Sequence, residues 1–177
     1  MKKFILYGML VGVVAAAGCK SQNIRPAAQV DKTPVYMAQH VPFKKGTFVP
    51  DAVRKECDLG GKLATHINNY SRQYHLNMVK GGKAKKSARV LKIEIINVRG
   101  SGGGAWSGAK SVAIEGKLLD KGKVVGTFRG QRSSGGGAFA GFKGTCSILG
   151  RTLKALGSDV GLWLQNPVMG ASIGEGG

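Results

Sequence analysis

Three cysteines, three histidines and nine carboxylates are the groups in this 177-residue chain that could do nucleophilic, metal or acid–base chemistry. A metal site draws its ligands at short, repeated spacings. His40, His66 and His75 are scattered instead, and Cys57 and Cys146 each stand alone. A reactive thiol needs a neighbour that favours the thiolate, and nothing beside either cysteine is placed to act so. The carboxylates show neither paired nor triad spacing. The sequence therefore predicts no catalytic residue, no metal site and no cofactor. Two glycine motifs imitate nucleotide sites. Gly100-x-Gly102-x-x-Ala105 leads into a strand where a dinucleotide fingerprint opens a helix, and in Gly141-Phe-Lys143-Gly144-Thr145 a glycine separates Lys from Thr. The helix start at Thr145, beside Lys143, still suits a phosphate or sulfate.

The first cysteine invites covalent chemistry. Lys2 and Lys3 precede an apolar run from Phe4 to Ala17, as in a signal peptide. At the helical rise the run reaches about 21 Å, short of a hydrocarbon core of about 30 Å. It closes on Ala16-Ala17-Gly18-Cys19, which resembles the lipobox of bacterial lipoproteins; the alternative is an ordinary secretory signal followed by an incidental cysteine. The resemblance implies acylation of the Cys19 thiol, cleavage before it, and membrane attachment through the lipid. Lys20 stands where aspartate would resemble an inner-membrane retention signal, which implies the outer membrane and a periplasm-facing domain. In that oxidising compartment the remaining pair, Cys57 and Cys146, is expected to form a disulfide, two buried free thiols being the alternative.

These residues need elements to hold them. Residues 1–18 read as the signal, 19–33 as a flexible tether, 34–167 as a single α+β domain and 168–177 as a disordered tail. The tether spans roughly 20 Å on average. Tyr36 to Phe43 reads as a poorly patterned strand. Pro50-Asp51 opens a helix on which Val53, Cys57, Ala64, Ile67, Tyr70 and Tyr74 share a face, interrupted by Gly60-Gly61, where the missing side chains suggest close approach of another element. A basic loop, Lys80 to Lys86, ends it. Leu91-Lys-Ile-Glu-Ile alternates as a half-buried strand, as do Val112, Ile114 and Leu118 with their neighbours. Asp120-Lys121-Gly122 turns the chain into a returning strand, Val124 to Arg132. Cys146, Leu149, Leu153, Leu156, Val160 and Trp163 then mark one helix face, with Thr145 as N-cap and Pro167 as the stop. The expected architecture is an antiparallel sheet with two helices on one face, in the order β-α-β-β-β-α. A meander reverses at each turn, so with the first strand parallel to the second both helices begin at one end of the sheet, bringing Cys57 and Cys146 together.

One pattern repeats. Ser101-Gly-Gly-Gly-Ala-Trp106-Ser-Gly108-Ala-Lys110 matches Ser134-Gly-Gly-Gly-Ala-Phe139-Ala-Gly141-Phe-Lys143. Each copy leaves a strand at that same end. Glycine lets backbone approach closely, and each copy adds an aromatic ring and a lysine. Trp106, Lys110, Phe139 and Lys143 thus form a candidate partner-docking surface; alternatively the loops pack on each other and the two rings plug the core.

The segments Gly104-Ala-Trp-Ser-Gly-Ala-Lys110, Lys143-Gly-Thr-Cys-Ser-Ile-Leu-Gly-Arg151 and Trp163-Leu-Gln-Asn-Pro167 resemble a group of uncharacterised proteobacterial outer-membrane lipoproteins. The element order over residues 34–167 is similar to the small α+β domains of the TolB N-terminus and the curli secretion lipoprotein. This resemblance implies the fold and an envelope setting and does not fix activity; with no catalytic spacing in the chain, the expectation is a non-enzymatic envelope component that binds an envelope protein partner through the glycine-loop end. A formal charge of +18 adds a second expectation, an anionic lipid or glycan bound through Lys80, Lys83, Lys85, Lys86 and Arg89. Export removes nucleic acid from consideration.

Overall fold

The computed structural model describes residues 33–85, 87–100, 109–134 and 144–175. In chain order Val35–Met37 forms β1, Asp51–Glu56 α1, Leu59–Gln73 α2, Met78–Lys80 β2, Arg89–Arg99 β3, Lys110–Asp120 β4, Lys123–Ser134 β5, Thr145–Gln165 α3 and Ala171–Gly174 β6. The class is α+β, as the periodicity predicts. The sheet has six strands in the order β2-β1-β3-β4-β5-β6. It is mixed: β3, β4 and β5 are antiparallel, whereas β1 runs parallel to β3, β2 to β1, and β6 to β5.

The long strands follow the alternation in the sequence. Leu91, Ile93 and Ile95 on β3 and Val112, Ile114 and Leu118 on β4 are buried, while Lys92 and Lys117 point to water. Side chains of period two put one set under the helices and the other in solvent. Between β4 and β5, Lys121 and Gly122 have φ of 49° and 81°, the two positive values a tight hairpin turn of the required hand demands.

The first helix differs from expectation. It ends at Glu56, and α2 starts at Leu59 after Asp58 adopts a left-handed φ of 41°. The Asp58 carboxylate accepts a hydrogen bond from Gly61 N at 3.1 Å, capping α2 and offsetting the strain of its own conformation. The double glycine marks a close approach, as its composition suggests. A Cβ on Gly60 would lie 2.2 Å from His40 Cε1 and 2.4 Å from the Val41 carbonyl oxygen. On α3, Leu149, Leu153, Leu156 and Val160 are fully buried, and Trp163 meets Phe128 of β5 edge-on at 4.8 Å. Thr145 is the first residue of the helix; Gly144 occupies the cap position and no side chain caps it. The helices α2 and α3 touch through Gly157, where an added Cβ would come within 2.6 Å of His66 Cβ.

Two edge strands were not anticipated. β2 intervenes between α2 and the basic loop, so the helix stops at Gln73. The stretch expected as a disordered tail contains β6, because three local contacts hold it. Ile173 fills the space left by Gly130, Gly170 N donates to Thr127 Oγ1 at 2.8 Å, and the Glu175 carboxylate accepts from Ser133 N at 2.9 Å. None of the described helices is long and apolar enough to cross a membrane.

Candidate functional site

Pairing registers settle which chain ends lie together. Arg99 of β3 faces Ser111 of β4, and Lys110 of β4 faces Ser134 of β5. The chain therefore departs for both glycine-rich repeats from one end of the sheet. Gly100, at the foot of the first, is buried against both helical elements. A Cβ there would meet Val53 Cγ2 of α1 at 3.2 Å and Leu149 Cδ1 of α3 at 3.4 Å. Beside it Cys57, at the end of α1, is joined to Cys146 in the first turn of α3, with Cα atoms 4.9 Å apart across a sequence separation of 89 residues. Parallel pairing of β1 with β3 gives both helices the same starting end, which is why residues so distant in sequence meet.

Lys110 does not present the solvent-facing ammonium a docking cation needs. It is 3 % exposed, and its Nζ donates to the Gly100 carbonyl at 3.4 Å, tying together the two ends of the first loop. Its position on β4, the central of the three long strands, explains the burial. Trp106, Phe139 and Lys143 lie outside the described residues, as does Cys19. Of the basic set, Lys83 and Lys85 are exposed, Arg89 is half-buried opposite Val35, and Lys86 lies outside the described residues. Lys80 turns toward α2 and donates to Thr65 Oγ1 at 3.1 Å.

A polar cleft of about 600 Å³ at the start of α2 escapes sequence reasoning, because its members come from separated elements. His40 Nε2 lies 3.1 Å from Asp58 Oδ1, and Lys62, His66 and Lys80 line the same space. Burial, then the charges of Lys154 and Lys62, hold the His66 pKa below its ordinary value. The imidazole thus favours the neutral form, while the lysines keep the cleft net positive. The only sequence signal was Asp58 three residues before Gly61, a capping pattern. Where residues 38–42 swing away from β3, between the pairings Met37–Leu91 and Phe43–Ile95, a mainly apolar groove of about 660 Å³ opens beside Val41, Ile93 and Phe128. Among the described residues no three His, Cys, Asp or Glu side chains gather as a metal site would require.

No family model and no curated protein matches the chain. Solved structures do. An uncharacterized protein is similar at 9 % identity over 75 % of this chain and 92 % of its own, with a TM-score of 0.50. A PelC dodecamer from Paraburkholderia phytofirmans is similar at 20 % identity, over 73 % of this chain and 89 % of its own, with a TM-score of 0.48. A minor lipoprotein from Acinetobacter baumannii is similar at 11 % identity, over 77 % and 92 %, with a TM-score of 0.48. The first likeness is one of fold alone, and fold does not fix function.

Proposed function

We propose that this chain is a lipid-anchored, non-catalytic envelope protein, facing the periplasm from the outer membrane, that binds a protein partner at the glycine-loop end of its sheet. The pairing of Lys110 with Ser134 carries the reading, because it brings the feet of the two repeats onto neighbouring strands. The disulfide beside them fixes α1 to α3 at that end, so the strand ends from which the repeats leave sit on a cross-linked base. A repeated aromatic on such a base is the kind of anchor on which binding energy concentrates. The Cys19 motif supplies the anchor.

Trp106→Ala and Phe139→Ala test the docking surface. With the lipidated protein, crosslinking and pull-down from its own envelope should identify the partner, and each variant should weaken it by about 2 kcal/mol with little change in melting. A stability loss of about 3–5 kcal/mol would make the rings core plugs and refute the surface. A second reading, an anionic glycan or lipid on the basic surface, is favoured by the cleft of Lys62, Lys80, His40 and His66. Steep loss of binding with salt would select it.

A further inference from the structure

The opposite end of the sheet carries an apolar and basic surface that the partner reading leaves unused. Val124, Val125, Leu162, Val168 and Met169 are large apolar side chains between 41 and 62 % exposed. They are joined through a few contacts. Gly126 sits against Trp163 and Pro167, with an added Cβ 2.8 Å and 3.0 Å from their rings. Thr127 N donates to the Val168 carbonyl at 3.1 Å, and so draws the segment after α3 onto the start of β5. Lys121 and Lys123 flank the hairpin tip in full solvent, and Asp120 is the one acid in that turn.

The point at which the chain enters the domain lies at this end. Val35 faces Arg89, Val90 faces Leu119, and Asp120 faces Lys123. The first residue of β1 is thus level with the hairpin, three strand spacings away, or about 14 Å. The tether that the sequence leads one to expect between Cys19 and Thr33 would reach roughly 20 Å on average. Exposed Lys83 and Lys85 lie on the loop leading to Arg89, the residue opposite Val35, which adds positive charge to the same end.

From these positions we infer that the β4–β5 hairpin and the turn before β6 form a membrane-docking face, with Val124, Val125, Val168 and Met169 entering the interface of an anionic bilayer and Lys121 and Lys123 meeting its phosphates. Isolated exposed apolar residues are ordinary, but a set gathered on two adjoining turns, beside two lysines and at the end where the chain enters, has the composition of an interfacial anchor. One acyl-bearing residue alone would let the domain tumble. A second contact fixes its orientation, with the Arg99–Ser111 end of the sheet away from the membrane. The inference rests on the anchor reading for its geometry, and the experiment separates the two.

Hydrogen exchange is measured on the mature protein bound to phosphatidylethanolamine–phosphatidylglycerol vesicles, on phosphatidylcholine vesicles, and in nonionic detergent, with acylation read from the mass of the Cys19 peptide. On the anionic vesicles, amides of residues 121–126 and 168–170 should exchange more slowly than in detergent by about threefold or more, while 99–100 and 110–111 stay unchanged. Phosphatidylcholine should give less protection. The double variant Val125→Asp, Met169→Asp should float with the vesicles but lose the protection. Full exchange at the hairpin on anionic vesicles, equal protection in the double variant, or protection at the glycine-loop end instead would each overturn the proposal. A Cys19 peptide without acyl mass would refute the anchor reading, and the hairpin amides of that protein with added anionic vesicles would still decide the docking face.

Discussion

The crossing of α2 and α3 makes opposite predictions for the same substitution at two points of one helix. An alanine at Gly157 would place its Cβ 2.6 Å from His66 Cβ, 2.9 Å from His66 C and 3.0 Å from Ile67 N. Comfortable carbon contacts begin near 3.5 Å, so α2 and α3 must part by roughly 1 Å. Two of the three obstacles are backbone, which no rotamer change relieves. Overpacking of this kind costs about 1–3 kcal/mol, against a gain of about 1 kcal/mol for replacing glycine in a helix. Gly157→Ala should therefore give a net change between about zero and 2 kcal/mol of destabilisation. At Gly150, on the same helix, nothing lies within 4 Å of the added Cβ. Only the helix gain remains, and Gly150→Ala should stabilise by about 0.5–1 kcal/mol. Near 3 °C per kcal/mol for a domain of this size, the two melting temperatures should separate by roughly 2–9 °C, the Gly150 variant being the higher. Thermal and urea unfolding of the oxidised protein would measure both. Stabilisation by Gly157→Ala comparable to that by Gly150→Ala would refute the close crossing.

Reduction of Cys57–Cys146, which closes a loop of 89 residues, should lower stability by about 4–5 kcal/mol in the chain-entropy picture; peptide mapping without reductant should recover the joined pair, and free alkylation of both thiols in denatured, unreduced protein would refute it. Cys19→Ser should abolish incorporation of labelled fatty acid; normal labelling would end the anchor reading. Because the His66 pKa is held below 6.5 in the folded protein, the unfolded chain binds the extra proton first, so stability should fall as pH drops through 6.5 toward the folded value. His66→Gln should flatten that part of the pH–stability curve, and an unchanged curve would show that another group carries it. Leu153→Ala, at a fully buried position, should cost about 2–5 kcal/mol in urea unfolding.

Where a pattern of burial repeats, the sequence was legible. Leu91, Ile93 and Ile95, the turn at Gly122, and the face running from Leu149 to Val160 were all readable because period two and period 3.6 record which side meets the core. Cys57 and Cys146 were legible through topology, since a meander decides which helix ends coincide. The break at Asp58 was not, because a left-handed aspartate depends on the cap it makes to Gly61 and on His40 packing over Gly60. The edge strands β2 and β6 are three and four residues long, too short for any alternation to register. What holds β6 is the groove over Gly130 and the Ser133–Glu175 contact, both tertiary. Lys110 was misread for a related reason. A lysine after a glycine-rich stretch looks like a surface cation, and only the register that places it between β3 and β5 turns it inward. The polar cleft at α2 gathers His40, His66 and Lys80 from three elements, so no local spacing could announce it.

The position of the bridge in the chain has a consequence for biogenesis. Cys57 is made 89 residues before Cys146, and at a synthesis rate of about 5–20 residues per second it waits roughly 4–18 s as a thiol without its partner. For the first half of that wait β1 cannot settle either, since its neighbours β2 and β3 also lie downstream. The one other cysteine in the chain is Cys19, and a Cys19 already carrying lipid could not compete for Cys57. Acylation would then act as a protecting group as well as an anchor, and a chain that escapes it is the one expected to trap a Cys19–Cys57 mispair.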